Sequence, residues 1–251
     1  MRRQRWFEIH DQPWFPGFLR DLTTEALEAV WNESHTYRPI AAKLREAVAQ
    51  SGAEQVVDLC SGGGGPWLGL YDEVADGRPL RVWLTDLYPN AQLSGKRLPD
   101  GLSVVAEPVD ARSVPLRGFR TIFSSFHHFD PASARAMLGD AFRRHEGIAV
   151  FEGARRSWHT LALVAGVPLV ALQCAARARP VRRRRILWTW LIPVVPAVLW
   201  FDGVLSCLRS YSMDDLRELT RDLSSPDYRW EVGEARDGRV PIRYLIGVPA
   251  R

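Results

Sequence analysis

Four consecutive glycines, Gly62 to Gly65, follow the run Val56-Val57-Asp58-Leu59-Cys60-Ser61 and precede Pro66 and Trp67. Such a tract between a buried strand and a helix lets the backbone approach a ligand closely, whereas a plain strand-to-helix turn needs only one glycine. Two phosphate ligands are excluded by spacing. A dinucleotide fingerprint counted from Gly62 and Gly64 needs a small residue where Trp67 stands, and a phosphate loop needs a Gly-Lys-Ser/Thr ending that is absent. A nucleoside without pyrophosphate remains. Asp86, 24 residues past Gly62, ends a second apolar run and can accept hydrogen bonds from a ribose diol. Asp110, in Val109-Asp110-Ala111-Arg112, follows a third run and can accept from an exocyclic adenine amine. Each acid alone also suits an N-cap or a turn. Three acids at the carboxyl ends of successive strands converge on one crevice.

The order Asp58, glycine loop, Asp86, Asp110-Ala111-Arg112, then Phe123-Ser124-Ser125-Phe126-His127-His128 resembles the class I S-adenosylmethionine-dependent methyltransferases. The resemblance covers roughly residues 40–157 and 209–251. It departs at Cys60, where the family pattern has glycine two positions after the first-strand acid. The resemblance implies S-adenosylmethionine as cofactor. Asp58, Cys60, Ser61, Gly62, Gly63 and Gly64 would line its methionine part, Asp86 and Leu87 the ribose, Asp110 and Ala111 the adenine, with Ser125 nearby. Methyl transfer needs an acceptor in line with the sulfonium and, for O–H or N–H acceptors, a base. His127 and His128 follow the fourth strand, where the acceptor should sit, and imidazole titrates near neutrality. Shaping the pocket is their other use. Glu152, just past the fifth strand, is the second candidate base, with Arg155 or Arg156 as partners; a surface salt bridge is its blander role. Trp14, His35 and Tyr37, with His127, are candidate acceptor contacts, because the region before the first strand often folds over the site in this superfamily. The same aromatic segment would also serve as a hydrophobic strap. No metal site is expected.

Positioning these residues requires strands. Short apolar runs at 55–59, 81–85, 102–106, 120–124 and 147–151 suit a parallel sheet covered on both faces. Helical spacing recurs in Ile40, Leu44 and Val48, closed by Gly52, and over Thr23 to Trp31 with Leu27 and Val30 on one face. Asp130-Pro131 opens another helix, with Ala134, Met137, Leu138 and Phe142 as its stripe. A further helix starts at Ser212. Two alternating strands, Tyr228–Ala235 and Arg239–Val248, are joined at Arg236-Asp237-Gly238, a hairpin signal. The predicted fold is α/β, a Rossmann-like seven-stranded methyltransferase sheet, parallel with an antiparallel C-terminal hairpin. Its predicted segments are an aromatic cap (1–38), a cofactor-binding core (39–157), an apolar helical insertion (158–208) and a C-terminal helix and hairpin (209–251).

The chain has 251 residues, 46% of them hydrophobic and 25% charged, with a net charge of +4. That supports a full core and excludes disorder and disulfide-stapled miniproteins. The excess charge is too thin to imply nucleic acid. Cys60, Cys174 and Cys207 form no CxxC pair, consistent with a reducing compartment, and the start lacks the apolar run of a signal peptide. The expected location is cytoplasmic, with membrane association through residues 159–204 in view. Residues 159–176 and 186–201 hold no formal charge, and six arginines fall between Arg177 and Arg185. The arms are short of the roughly 20 residues that span a bilayer, and Pro168, Pro193 and Pro196 interrupt them. A lid over a lipophilic acceptor, a homodimer interface and an interfacial membrane anchor all fit. The function expected is methyl transfer to a small hydrophobic molecule. A membrane lipid or quinone-like acceptor, or a non-catalytic nucleoside-binding module, is the alternative.

Overall fold

The computed structural model describes residues 3–4, 6–90, 93, 98–177, 182–236 and 240–250. The chain divides into two compact units, one of residues 36–153 and 211–251, the other of residues 1–35 and 154–210.

The first unit is built on a seven-stranded sheet of order β3-β2-β1-β4-β5-β7-β6. Its strands are β1 (Gln55–Leu59), β2 (Arg81–Leu84), β3 (Leu102–Val104), β4 (Phe119–Phe123), β5 (Ile148–Glu152), β6 (Tyr228–Ala235) and β7 (Ile242–Pro249). β1 to β5 pair in parallel, and β7 runs antiparallel between β5 and β6. The turn expected at Asp237-Gly238 lies outside the described residues. β4 and β5 are buried along their whole length, as a central parallel strand covered on both faces must be. β3 is shorter than its apolar run suggested, because Leu102–Val104 is the portion in register with β2.

Alternation along β1 sends Val57 and Leu59 into a core completed by Ala134, Met137, Leu138 and Ala141 of one helix and by Leu216 and Leu219 of another. Numbering helices along the chain, α1 is Gly17–Ser34, α2 Ala41–Ser51, α3 Trp67–Ala75 and α4 Pro131–Arg143. After these come α5 (Trp158–Arg177), α6 (Arg183–Ile186), α7 (Val194–Arg209) and α8 (Met213–Thr220). The ends follow local chemistry. Gly52 closes α2 with φ +67, Asp130 caps α4 by accepting from Ala132 N and Ser133 N, and Ser212 with Asp215 forms a capping box on α8.

The second unit packs α1, α5 and α7 around Leu19, Leu22, Val30, Ala171, Val195, Val198 and Leu199. α1 is twice the length expected over Thr23 to Trp31. Pro16, with its fixed φ, precedes its first turn, and His35 in the left-handed region ends it. The first apolar arm is one helix, α5, with Pro168 inside it. The second breaks into α6, a π-helical turn over Leu187–Leu191, and α7, with a 63° bend before α7.

Candidate active site

The site is assembled at the carboxyl ends of β1, β2, β4 and β5, where the strand order reverses between β1 and β4. Asp58 on β1 is buried, and both its oxygens are engaged. Ser61 Oγ donates to Oδ2 at 2.6 Å, and Thr121 Oγ1 donates to Oδ1 at 2.6 Å. Thr121 lies directly across from Asp58 in the β1–β4 register and in turn accepts from Trp67 Nε1 at 3.2 Å. Burial pushes the Asp58 carboxyl up to about 7; the hydroxyl donors oppose that rise and the nearby Asp86 charge adds to it. Asp58 therefore anchors the loop from beneath.

The loop is tied at both ends. Ser61 N donates to Thr85 O, Thr85 N donates to Asp58 O, and Gly64 N donates to Ser61 O, each at 2.9 Å. Gly62, Gly64 and Gly65 have φ of +54, +108 and +54, the left-handed region that glycine occupies without strain. A Cβ on Gly64 would come within 3.2 Å of Leu68. Gly63 is buried, and Trp67, fully buried, plugs the floor as the first residue of α3. Cys60, with φ +58, takes the same left-handed geometry without being a glycine. Ser124, one residue past β4, does so too, with φ +43. Two such residues directly after adjacent strands place backbone strain at the site.

Asp86, half-buried, accepts from Gly62 N at 2.8 Å and from Tyr88 N at 2.8 Å, so the second-strand acid is locked to the rim of the glycine loop. Leu87 beside it is exposed. Asp110 is gripped by Arg112, with Nε at 2.9 Å from Oδ1 and Nη2 at 2.6 Å from Oδ2, and this guanidinium holds its carboxyl below the usual range. Ala111 is buried between them.

Beyond β4, His127 sits on a short 3₁₀ turn, Phe126–His128, and is buried. Its Nδ1 lies 2.8 Å from Glu152 Oε2, and its backbone N–H donates to Glu152 Oε1 at 3.1 Å. An ionised carboxylate only accepts, so Nδ1 carries the proton and Nε2 is the basic nitrogen. The His128 ring lies 4.4 Å from that of His127. Tyr37 is buried against Phe123, with its hydroxyl on Ser124 Oγ. Burial pushes that hydroxyl well above its usual range, and the Glu152 charge adds to the effect. Ser125 Oγ donates to Phe123 O at 3.0 Å.

The structure thus brings Asp58, Ser61, Gly62 and Asp86 into one network and His127 with Glu152 into another, while Asp110 joins Arg112. Trp14 is exposed, with its ring edge-on to Phe15, and His35 caps α1; both belong to the other unit. Thr121, Thr85 and Ser124 make contacts to Asp58 and Tyr37 that sequence reasoning missed. Thr121 is legible only once the β1–β4 register sets it across from Asp58.

No protein-family model matches the chain, and no curated protein sequence does. Among solved structures it is similar to the plantazolicin methyltransferase BpumL in complex with SAH, with a TM-score of 0.51 and 9% identity over 93% of this chain and 96% of that one. It is also similar to a SAM-dependent methyltransferase from Aquifex aeolicus (TM-score 0.49, 14% identity, covering 90% of this chain and 97% of that one). A third is human N-acetylserotonin methyltransferase in complex with SAM (TM-score 0.49, 12% identity, covering 91% of this chain). The chain spans 57% of that human enzyme's length. With its parallel strands, central switch point and antiparallel β7, the chain has the class I S-adenosylmethionine-dependent methyltransferase fold.

Proposed function

We propose that this protein binds S-adenosylmethionine and transfers its methyl group to a small hydrophobic acceptor. The observation that carries the reading is the Asp86 carboxylate fastened to Gly62 N at the rim of a glycine loop, at the switch point of this sheet. The residues fit the cofactor. Asp86 reaches solvent where a ribose diol would lie, and the positive-φ glycines leave backbone bare for the methionine part. Bound there, the cofactor supplies an electrophilic methyl on sulfur. The chain's own task is to align the acceptor and to take its proton. His127 is the base in this reading. Glu152 holds the ring by Nδ1 and directs the basic Nε2 elsewhere, and it stabilises the imidazolium that forms. His128 and Tyr37 shape the acceptor end. The acceptor in this reading is a small, lipophilic molecule.

Calorimetry with S-adenosylmethionine and its demethylated product tests the cofactor directly, and binding at micromolar levels is expected. Asp86→Ala removes charge-assisted hydrogen bonds of about 1.5–3 kcal/mol, so affinity should fall about 10–150-fold. Unchanged affinity in folded Asp86→Ala would mean that the ribose acid lies elsewhere. Transfer of labelled methyl into an extract fraction separates an enzyme from a nucleoside-binding module.

A further inference from the structure

In the unit formed by residues 1–35 and 154–210, α7 buries Val195, Val198 and Leu199 in the core and leaves a second apolar face exposed. Its charged residues point inward. Asp202 is 7% exposed and accepts from Ile9 N at 2.8 Å and His10 N at 3.0 Å, and buried Arg209 pairs with Glu8 and Asp11. The exposed apolar face, at helical spacing, consists of Pro193 just before the helix, then Ala197, Trp200 and Phe201. The π turn before it adds further exposed apolar side chains. Ile192 N donates to Leu187 O at 2.7 Å, and the wide turn presents Ile186, Trp190 and Leu191 to solvent, with Leu191 76% exposed. Exposed Arg183 and Arg184 lie directly beside this surface, and the Arg184 guanidinium stands 5.9 Å over the ring of half-exposed Phe18.

We propose that this face docks into the headgroup region of an anionic phospholipid bilayer. The charge complementarity is explicit: uncharged surface from Ile186 to Phe201 is edged by arginines, and two exposed tryptophans, Trp190 and Trp200, have the ring chemistry favoured at a membrane interface. Exposed aromatics and leucines in one face are costly in water and ordinary at a lipid interface. The unit lies on the bilayer and does not cross it. α5 is long and apolar enough to span, but it packs against α1, which carries Arg20, Asp21, Glu25, Glu28 and Glu33. Those charges would enter the hydrocarbon if the unit crossed. The inference is independent of the methyltransferase reading, since none of these residues belongs to the cofactor network.

The test is flotation of the full-length, detergent-free protein with phosphatidylcholine vesicles, with and without phosphatidylglycerol, at low and high salt. Binding to the anionic vesicles is expected, weakening with salt and released by an alkaline carbonate wash. Arg183→Gln with Arg184→Gln should weaken it roughly 30-fold at low salt. Trp190→Ser with Leu191→Ser should weaken it more than tenfold at either salt. Both pairs are exposed, so an unchanged circular-dichroism spectrum is expected. Three results would overturn the proposal. The first is no flotation with anionic vesicles. The second is retention through the carbonate wash, which means spanning. The third is a vesicle-indifferent dimer that the serine pair converts to monomer, which means that a second copy covers the face.

Discussion

Glu152 and His127 are 25 residues apart in sequence, yet two hydrogen bonds join them, one to the ring and one to the backbone. If that pair is the base and its orienter, His127→Ala should lower turnover about 10²–10⁴-fold with cofactor affinity little changed. Glu152→Gln, which loses the ionised acceptor, should fall between and shift the pH–rate profile. Loss of cofactor binding in parallel with turnover would make both residues pocket walls. Asp58 has a different signature. Its folded-state carboxyl titrates near 7, against 3.8 for an ordinary aspartate, so the folded protein keeps a proton that the unfolded chain releases. The stabilisation is therefore complete below about pH 4 and is lost as pH rises through 7, on the order of 4 kcal/mol in all. Asp58→Asn should flatten that fall, measured by urea unfolding at mildly acid and mildly alkaline pH. An identical slope in the variant would show that Asp58 does not titrate there. The candidate acids and histidines could be named from residue type and position alone. Which of them touch could not, because Thr121 meets Asp58 and Glu152 meets His127 only through strand register and a turn.

The strands and helices were far more legible than their contacts, because burial on both faces leaves continuous apolar runs and caps leave local signals. β1, β2, β4 and β5 fall where those runs lie, and α4 and α8 start at Asp130-Pro131 and Ser212. The second apolar arm breaks at Pro193, one of the interruptions expected, whereas α5 runs through Pro168 as one helix. One contact escaped this reading altogether. Arg120, the first residue of a run read as apolar, is buried on β4 and reaches Asp140 of α4 and Glu146 before β5, both at 2.8 Å. Periodicity is blind to a charge whose partners lie on other elements. Tyr228 on β6 donates to the carbonyl of the same Glu146, so the cluster ties β4, α4 and the hairpin together. Arg120→Ala would strip buried Glu146 of its guanidinium and leave Asp140 to Arg143 and Arg144 alone, and should cost about 3–5 kcal/mol. Arg120→Met restores volume without charge and should cost nearly as much, because the acids remain. Urea midpoints of the two variants decide it, and a loss below about 1 kcal/mol in both would mean that solvent reaches the acids.

At the scale of the molecule, the chain leaves the sheet-bearing unit after Gly153 and returns at Tyr211. Both ends of that excursion lie near one point. Glu152, the last residue of β5, is in register with Arg243 of β7, and the Arg243 guanidinium donates to the carbonyl oxygen of Tyr211. A short linker therefore suffices to join residue 153 to residue 211, the arrangement in which an inserted segment is most readily tolerated or removed. The sheet unit also keeps its own core, from Val57 and Leu59 through Met137 and Leu138 to Leu216 and Leu245. Every residue assigned to the cofactor lies within it. A protein of residues 36–153 joined by a few glycines and serines to residues 211–251 should fold cooperatively and bind the demethylated cofactor product within about tenfold of the intact chain. It should not float with anionic vesicles, because Ile186 to Phe201 are gone. Cofactor binding lost in a cooperatively folded version would show that residues outside the sheet unit complete the cofactor site. Failure to fold would show that the two units share one stability. Retained vesicle binding would move the lipid-facing surface to the sheet unit and remove the role assigned to α7.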